Sequence, residues 1–166
     1  DFTSLRRALP DIPTLAEVVS QFGGVTHLML ELKALNPARL AQQRESLRRE
    51  LSRLEPVRDY HILSLREDLF ELATFAGAQA MLPVAQTNTK AFSALALERG
   101  YCGLAGHYLM LGTALQARHR AAGQRVGTGF PRSRRCLYRE LNRGVDWVFS
   151  NDAVYLQGLL PAPEGD

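Results

Sequence analysis

Residues 25–33, with the sequence VTHLMLELK, form an apolar run that ends in a carboxylate and an ammonium group. A short run of this kind predicts a buried strand over residues 25–32. Strand alternation places His27, Met29, Glu31 and Lys33 on one face. Within a strand that is buried on both faces, charges such as those of Glu31 and Lys33 require a partner, a metal or a ligand. Alternatively, the strand has already ended at this point and both charges are solvated. The carboxyl end of this strand is the first candidate site.

Short apolar runs and helical patterns alternate along the rest of the chain. Further short apolar runs predict strands at residues 61–64, 80–84, 101–105, 125–129 and 145–150. Helical patterns start at Pro13 and then cover residues 38–54, 66–76, 89–99, 109–122, 133–143 and 152–160. A Pro-rich, acidic tail after residue 160 is expected to fray. Alternating strands and helices predict a parallel sheet covered by helices.

Two α/β architectures fit six strand-helix units. One is an open, doubly wound parallel sheet, and the other is part of a (β/α)8 TIM barrel, which takes about 250 residues when complete. The 166 residues leave such a barrel short by roughly 80 residues. No linker-like change of composition interrupts the chain, so residues 1–166 are expected to form a single domain. Both architectures bind ligands at the carboxyl ends of the strands.

The composition indicates a globular domain and excludes several classes of function. The net charge is only +3, with 17 acidic and 20 basic residues, which argues against a nucleic-acid partner. No run approaches the ~20 apolar residues of a membrane-spanning helix, so stable membrane insertion is not expected. Cys102 and Cys136 are predicted to be buried thiols in a reducing cytoplasm. Homo-oligomerisation is left open.

The histidines and one serine are weaker candidates. His107 lies in a predicted strand-to-helix loop, where we expect capping or packing, and His119 lies on a helix face that should be solvated. His27 is expected to be a core residue with satisfied hydrogen bonds. His61 opens a strand, at the end away from the expected site. Ser64 closes that strand, and we expect it to form hydrogen bonds rather than act as a nucleophile.

A glycine-rich stretch and a group of arginines also have a structural interpretation. Residues 126–131, VGTGFP, lack the Lys-Ser or Lys-Thr ending of a nucleotide loop and the third glycine of a dinucleotide fingerprint. A strand end that needs small residues is expected there. The arginines that follow could attract an anionic substrate, but a solvated helix face is expected for them. They are Arg132, Arg134, Arg135, Arg139 and Arg143.

Three parts of the chain share motifs with one known family. Residues 12–18, IPTLAEV, are similar to a Pro-Thr-Leu-x-Glu-Val helix start, and residues 27–33, HLMLELK, to an apolar strand that ends in Glu-x-Lys. Residues 122–126, AGQRV, and residues 144–151, GVDWVFSN, are similar to two final strand-helix units. In this order and spacing, the segments resemble the glycerophosphodiester phosphodiesterase family.

The resemblance implies the barrel architecture. Residues 25–32 would form the third of eight strands and residues 145–150 the eighth. The first two strand-helix units would then precede Asp1, and this chain would be the carboxyl-terminal part of the barrel.

The resemblance also implies roles for Glu31 and Lys33. Glu31 would be a ligand for a divalent cation, Ca²⁺ or Mg²⁺, and Lys33 a catalytic cation that binds the substrate's phosphate. A hard cation prefers carboxylate oxygen, and two positive charges stabilise the charge that develops during diester cleavage. Related proteins hydrolyse a small-molecule glycerophosphodiester to glycerol 3-phosphate and an alcohol. Their two histidines and their other metal carboxylates belong to the first two units, so this chain alone is expected to be inactive.

The chain departs from the family pattern on the implied seventh strand. Relatives carry Trp-Thr-x-Asn there, and this chain has Gly129, Phe130, Pro131 and Arg132. Loss of the indole predicts altered substrate recognition, with Phe130 or Tyr108 as a replacement wall of the substrate site. The departure also motivates an alternative function, a non-catalytic barrel that binds a phosphorylated ligand or a protein partner.

Overall fold

The computed structural model describes residues 2–161, which contain one six-stranded sheet with helical connections. All paired strands are parallel, and their order in the sheet is their order in the chain. The strands are β1 (Leu28–Glu31), β2 (Tyr60–Ser64), β3 (Met81–Ala85), β4 (Gly103–His107), β5 (Arg125–Gly129) and β6 (Trp147–Phe149).

The strand order distinguishes the two expected architectures. A doubly wound sheet reverses its strand order at a switch point, whereas this sheet runs from β1 to β6 without a reversal. Right-handed crossovers that all step in one direction place their helices on the same face of the sheet. The prediction of part of a TIM barrel is confirmed, and the doubly wound alternative is wrong.

The sheet is strongly curled. The ring centroids of His61 in β2 and Trp147 in β6 lie 5.1 Å apart. Four strand spacings separate β2 from β6, which would amount to about 19 Å in a flat sheet. The contact between the two rings therefore requires the sheet to bend round on itself into a half-barrel.

Alternating side chains divide the core into two layers. In β2, Tyr60 and Ile62 pack among the helices, whereas His61 and Leu63 face the interior of the half-barrel. The interior layer joins side chains of β1, β2, β3, β4 and β6, together with one residue just before β4. Its members are Met29, Leu63, Leu82, Val84, Cys102, Ala105, Trp147 and Phe149.

The connections differ in detail from the predicted helices. The helices are α1 (Phe2–Ala8), α2 (Leu15–Phe22), α3 (Leu40–Glu50), α4 (Thr89–Glu98), α5 (Thr113–Ala121), α6 (Arg134–Arg143) and α7 (Ala153–Gln157). The connection from β2 to β3 is a 3-10 helix, Glu67–Ala76, with a kink at Ala73. Short 3-10 turns also occupy Pro37–Arg39 and Ala78–Ala80. None of the helices between residues 2 and 161 has the length and the apolar run needed to cross a membrane.

Local capping explains where two of these helices begin. Thr14 and Glu17 form a capping box at the start of α2, in which the Glu17 N–H donates to Thr14 Oγ1 over 3.1 Å and the Thr14 N–H donates to Glu17 Oε2 over 2.7 Å. Ser133 accepts a hydrogen bond from the Cys136 N–H at the start of α6. Side-chain oxygens thus satisfy N–H groups that a first helical turn leaves free.

Strand β4 starts two residues later than the predicted segment 101–105 and ends at His107. At its first residue, a Cβ added to Gly103 would lie 1.8 Å from the carbonyl oxygen of Arg125. Strands β4 and β5 approach so closely there that only glycine fits, although glycine usually weakens a strand. His107 therefore ends a strand instead of lying in a loop.

The ends of the described chain also differ from expectation. Strand β1 is shorter than predicted, and Val25 is 81% exposed before it begins. Helix α1 has no counterpart in the sequence prediction. The frayed tail predicted after residue 160 falls mostly on residues 162–166, which lie outside the described residues.

Two histidines pair at the amino ends of the strands. His27 Nε2 lies 2.7 Å from His61 Nδ1, and His27 Nδ1 lies 2.9 Å from the Arg58 carbonyl oxygen. Because a carbonyl oxygen only accepts, His27 Nδ1 donates to it, and His27 Nε2 then accepts from His61 Nδ1. His27 is exposed, so the expectation of a core histidine is wrong. It precedes β1 and does not lie within it.

Protonation of His61, the buried member of this pair, destabilises the folded state. His61 is fully buried, and its Nε2 has no hydrogen-bond partner among the described residues. Burial lowers the pKa of His61 to about 4, with smaller contributions from His27 and Arg125. As predicted, His61 lies at the end of the sheet away from the strand ends where a ligand was expected.

We predict that the protein loses stability in mild acid because of His61. Its pKa of about 4 in the folded state lies below the unfolded value near 6.5, so the unfolded chain binds the extra proton between these pH values. The free energy of unfolding should fall as pH drops from 7 to 4, by up to about 3 kcal/mol from this residue. Denaturant unfolding across this pH range measures the loss. A His61→Leu variant should give a flatter profile, and an unchanged profile would contradict the assignment.

We also predict that Gly103→Ala destabilises the sheet. The new methyl group would collide with the backbone of β5, and overpacking of this kind costs about 2–3 kcal/mol. Thermal unfolding should show a Tm lower by roughly 5–10 °C. Gly112→Ala is the matched control, because a Cβ at Gly112 meets nothing within 4 Å. Equal Tm values for the two variants would argue against a close approach of β4 and β5.

Candidate functional site

A cavity of about 510 Å³ opens at the carboxyl ends of the strands. All six strands contribute to its wall, which is mostly apolar. The polar side chains that line it are Glu31, Lys33, Gln86, Thr87 and His107. This is the edge of the sheet at which we expected a ligand site.

Glu31 and Lys33 form an ion pair on one wall of the cavity. Glu31 is the last residue of β1 and follows the inward-facing Met29 by two positions, so alternation turns its carboxylate toward the cavity. Lys33 Nζ lies 2.6 Å from Glu31 Oε1. The lysine side chain is 71% exposed and the glutamate 34%, and such a pair contributes at most about 1 kcal/mol. A charged ligand can therefore separate the two groups at little cost.

Glu31 fits one ligand of a divalent cation and does not make a metal site alone. Its carboxylate oxygens suit Ca²⁺ or Mg²⁺, which take six or more oxygen ligands. Glu31 is the one acidic residue that lines the cavity among residues 2–161. Within that same part of the chain, no three His, Cys, Asp or Glu side chains converge.

The wall opposite the ion pair is aromatic. Phe130 follows β5 and lines the cavity, and its backbone has a φ of 68°, which is unusual for a residue other than glycine. Its ring centroid lies 5.7 Å from that of His107. Tyr108 also stacks on His107, with ring centroids 4.6 Å apart, and does not line the cavity. Of the two residues predicted as a replacement wall, the structure therefore places only Phe130 in the cavity.

His119 is buried, so its predicted position on a solvated face is wrong. The Ser93 hydroxyl lies 2.9 Å from His119 Nε2, and His119 Nδ1 lies 2.7 Å from Gln124 Oε1. The Gln124 amide nitrogen donates to the Ala96 carbonyl oxygen over 2.6 Å. Burial lowers the pKa of His119. Because its neighbours in the sequence are charged, the pattern did not indicate that His119 belongs to an internal network. This network links α4, α5 and the residue before β5.

Ser64 and the glycine-rich stretch have the structural roles that we expected. Ser64 is buried, and its hydroxyl accepts a hydrogen bond from the Arg66 N–H over 3.0 Å. A Cβ added to Gly127 would lie 2.7 Å from the Phe149 ring, so the interior of the half-barrel requires a small residue at that position of β5. Of the glycine-rich stretch, Gly129 and Phe130 at its carboxyl end line the cavity.

The arginines of α6 are only in part a solvated face. Glu140 is fully buried, and it is held by Arg139 Nε at 2.8 Å and Arg143 Nη1 at 2.7 Å. These two arginines balance a buried charge, which the sequence pattern did not indicate. Arg132 pairs with Asp152 at 2.9 Å.

The two cysteines differ in burial. Cys102 is buried as predicted, its thiol donates to the Met81 carbonyl oxygen, and burial raises its pKa to about 12. Cys136 is only partly buried, so the prediction fails for this residue. Both are free thiols.

Comparison with known proteins finds likeness in structure. No family model matches the chain, and no curated protein matches its sequence. Among solved structures, a phosphodiesterase from Oleispira antarctica in complex with the product sn-glycerol-3-phosphate superposes with a TM-score of 0.70 at 23% identity, and covers 89% of this chain. A glycerophosphodiester phosphodiesterase from Parabacteroides distasonis gives 0.67 at 16% identity and also covers 89%. One from Agrobacterium tumefaciens gives 0.61 at 18% identity and covers 84%.

The likeness extends over most of this chain but over less than two thirds of each of the other proteins. The chain spans 61%, 63% and 58% of their respective lengths. Identities of 16–23% carry the fold and leave the activity to be argued from the site. The resemblance predicted from three short segments is thus confirmed in the structure. The chain has the fold of some three fifths of a glycerophosphodiester phosphodiesterase barrel.

Proposed function

We propose that the intact protein hydrolyses glycerophosphodiesters to glycerol 3-phosphate and an alcohol. The observation that carries the proposal is the ion pair of Glu31 and Lys33 at the carboxyl end of β1, on the wall of the cavity. It supplies an oxygen ligand for a cation and a positive charge for a phosphate at the edge where barrels of this kind bind substrates. The Oleispira antarctica protein, solved with sn-glycerol-3-phosphate, supports a substrate of this class.

Lys33 would bind the phosphate of the substrate and stabilise charge as the diester is cleaved. Its ammonium group lies beside Glu31 and is largely exposed, so an anion can reach it without unfolding any element. Negative charge on the phosphate oxygens increases in the transition state. A cation held beside them therefore lowers the activation free energy of diester cleavage. Lys33 is therefore assigned both a catalytic and a substrate-binding role.

Glu31 would hold a divalent cation, Ca²⁺ or Mg²⁺, together with ligands from outside the described residues. A bound cation would supply Lewis-acid stabilisation of the phosphate. Glu31 itself orients Lys33 through their ion pair and would release it when its carboxylate turns to the cation. Phe130 would form part of the substrate wall on the other side of the cavity.

We place this activity in the cytoplasm. The two cysteines are free thiols, which suits a reducing compartment.

A second candidate function follows from the segment after β5. The implied Trp-Thr-x-Asn pattern is absent, and Phe130 stands on the cavity wall instead. A barrel with this change could bind a phosphorylated ligand or a protein partner without turnover. Calorimetry that detects ligand binding with no hydrolysis in saturating Ca²⁺ or Mg²⁺ would favour this function over the enzyme.

We predict that Glu31→Ala and Lys33→Ala each abolish diester hydrolysis by the intact protein without unfolding it. Lys33→Ala removes the charge that would bind the phosphate, Glu31→Ala removes the ligand of the cation, and neither side chain contributes to the core. Release of glycerol 3-phosphate measures activity, and thermal unfolding measures folding. Glu45→Ala is the control, because Glu45 also forms a solvent-exposed ion pair, with Arg48 on α3, and lies outside the cavity. Normal hydrolysis by both site variants would refute the assignment.

A further inference from the structure

His107 presents a hydrogen-bond donor that no group in the described chain uses. It is the last residue of β4 and lines the cavity, three strands away from Glu31 and Lys33. Three strand spacings amount to about 14 Å along the curled sheet. Because the sheet is curled, both residues nonetheless line one cavity, and a ligand whose phosphate sits at Lys33 can extend its other end across that cavity toward His107.

The hydrogen bonds of His107 determine which ring nitrogen carries the proton. The Leu109 N–H donates to His107 Nδ1 over 3.2 Å. Since Nδ1 accepts, a neutral ring carries its proton on Nε2. No hydrogen bond to Nε2 occurs among the described residues, and Nε2 is not one of their buried unpaired atoms. An N–H donor is thus left open to solvent at the cavity wall.

Neighbouring side chains hold the ring in one orientation. The Tyr108 ring stacks on that of His107 with centroids 4.6 Å apart and an interplanar angle of 27°, and the Phe130 ring lies 5.7 Å away at 31°. The Arg139 guanidinium in turn lies over the Tyr108 ring, 4.7 Å from its centroid. The backbone is held as well, because His107 pairs with Gly129 in β5. A donor that is ordered before binding loses little entropy when a ligand arrives.

The structural roles of His107 do not account for Nε2. Capping of Leu109 uses Nδ1, and stacking uses the faces of the ring. The other polar side chains near this part of the wall, Gln86 and Thr87, are exposed. His107 is therefore the oriented donor on the wall formed by β3, β4 and β5 in the described chain.

We propose that His107 Nε2 donates a hydrogen bond to a hydroxyl oxygen in the glycerol part of the ligand, while Phe130 packs against its carbon chain. The proposal rests on the proposed function, and it makes His107 a residue that selects polyol phosphates over alkyl phosphates. A site that donates to a substrate hydroxyl disfavours an analogue without one, because the donor is then left without a partner.

Calorimetry on the intact protein with Mg²⁺ present tests the proposal. The probes are inorganic phosphate, sn-glycerol 3-phosphate and propyl phosphate, which has the same carbon chain without hydroxyl groups. The unmodified protein should bind glycerol 3-phosphate roughly 3- to 10-fold more tightly than propyl phosphate, as expected for one hydrogen bond.

Two variants separate the donor from the stacking ring. His107→Phe keeps an aromatic ring between Tyr108 and Phe130 and should bring the ratio of the two affinities close to one, while inorganic phosphate binds as before. His107→Gln places an amide N–H near the position of Nε2 and should restore most of the preference. Recovery in the glutamine variant is a result that a purely structural role for His107 would not produce.

The outcomes distinguish the inference from the proposed function. The same affinity ratio in the unmodified protein and in His107→Phe would overturn the role of His107 and leave the phosphodiesterase assignment intact. If the unmodified protein binds neither inorganic phosphate nor glycerol 3-phosphate, the phosphate site at Lys33 fails, and the inference fails with it.

Discussion

Contact between side chains inside the curled sheet is the constraint on which the rest of the structure depends. His61 and Trp147 come from strands that a flat sheet would hold far apart, yet their rings touch. The same interior layer includes Met29, Leu82 and Phe149, so it draws the first, middle and last strands around one axis. Burial of this layer bends the sheet, and the carboxyl ends of its strands then line one cavity.

The curl gives the cavity two chemically different sides. Glu31 and Lys33 bring charge to the side formed by β1, and Phe130 and His107 bring an aromatic surface with one N–H donor to the side formed by β4 and β5. A ligand that is anionic at one end and carries carbon and hydroxyl groups at the other matches both sides. A glycerol phosphate ester has this form, which is why the fold, the charge and the aromatic wall support one function together.

The charged side of the site could be predicted from the sequence, because its geometry is local. Alternation within a single strand is enough to put Glu31 on the same face as Met29, and Lys33 follows at the strand end. The order of strands and helices likewise predicted a parallel sheet, and the resemblance in three segments predicted the barrel. The choice between barrel and doubly wound sheet needed the strand order itself.

The other side of the site depends on contacts between distant residues, which periodicity does not report. Strand β4 begins at Gly103, where it approaches β5 closely, and it therefore reaches His107 instead of ending before it. His119 and Arg143 stand in polar stretches of sequence, yet one joins a buried network and the other balances a buried carboxylate. The partners of His119 come from α4 and from the turn before β5. Arg143 and Glu140 lie on the same helix, α6, and the full burial of Glu140 is what the sequence pattern did not indicate.

A crystal structure of the intact protein with Mg²⁺ and sn-glycerol 3-phosphate tests the central claim most directly, that the cavity binds a phosphate ester through Glu31 and Lys33. The account predicts a Glu31 carboxylate oxygen about 2.1 Å from the cation and Lys33 Nζ within about 3 Å of a phosphate oxygen. A phosphate bound elsewhere, with the Glu31–Lys33 ion pair intact, would contradict it.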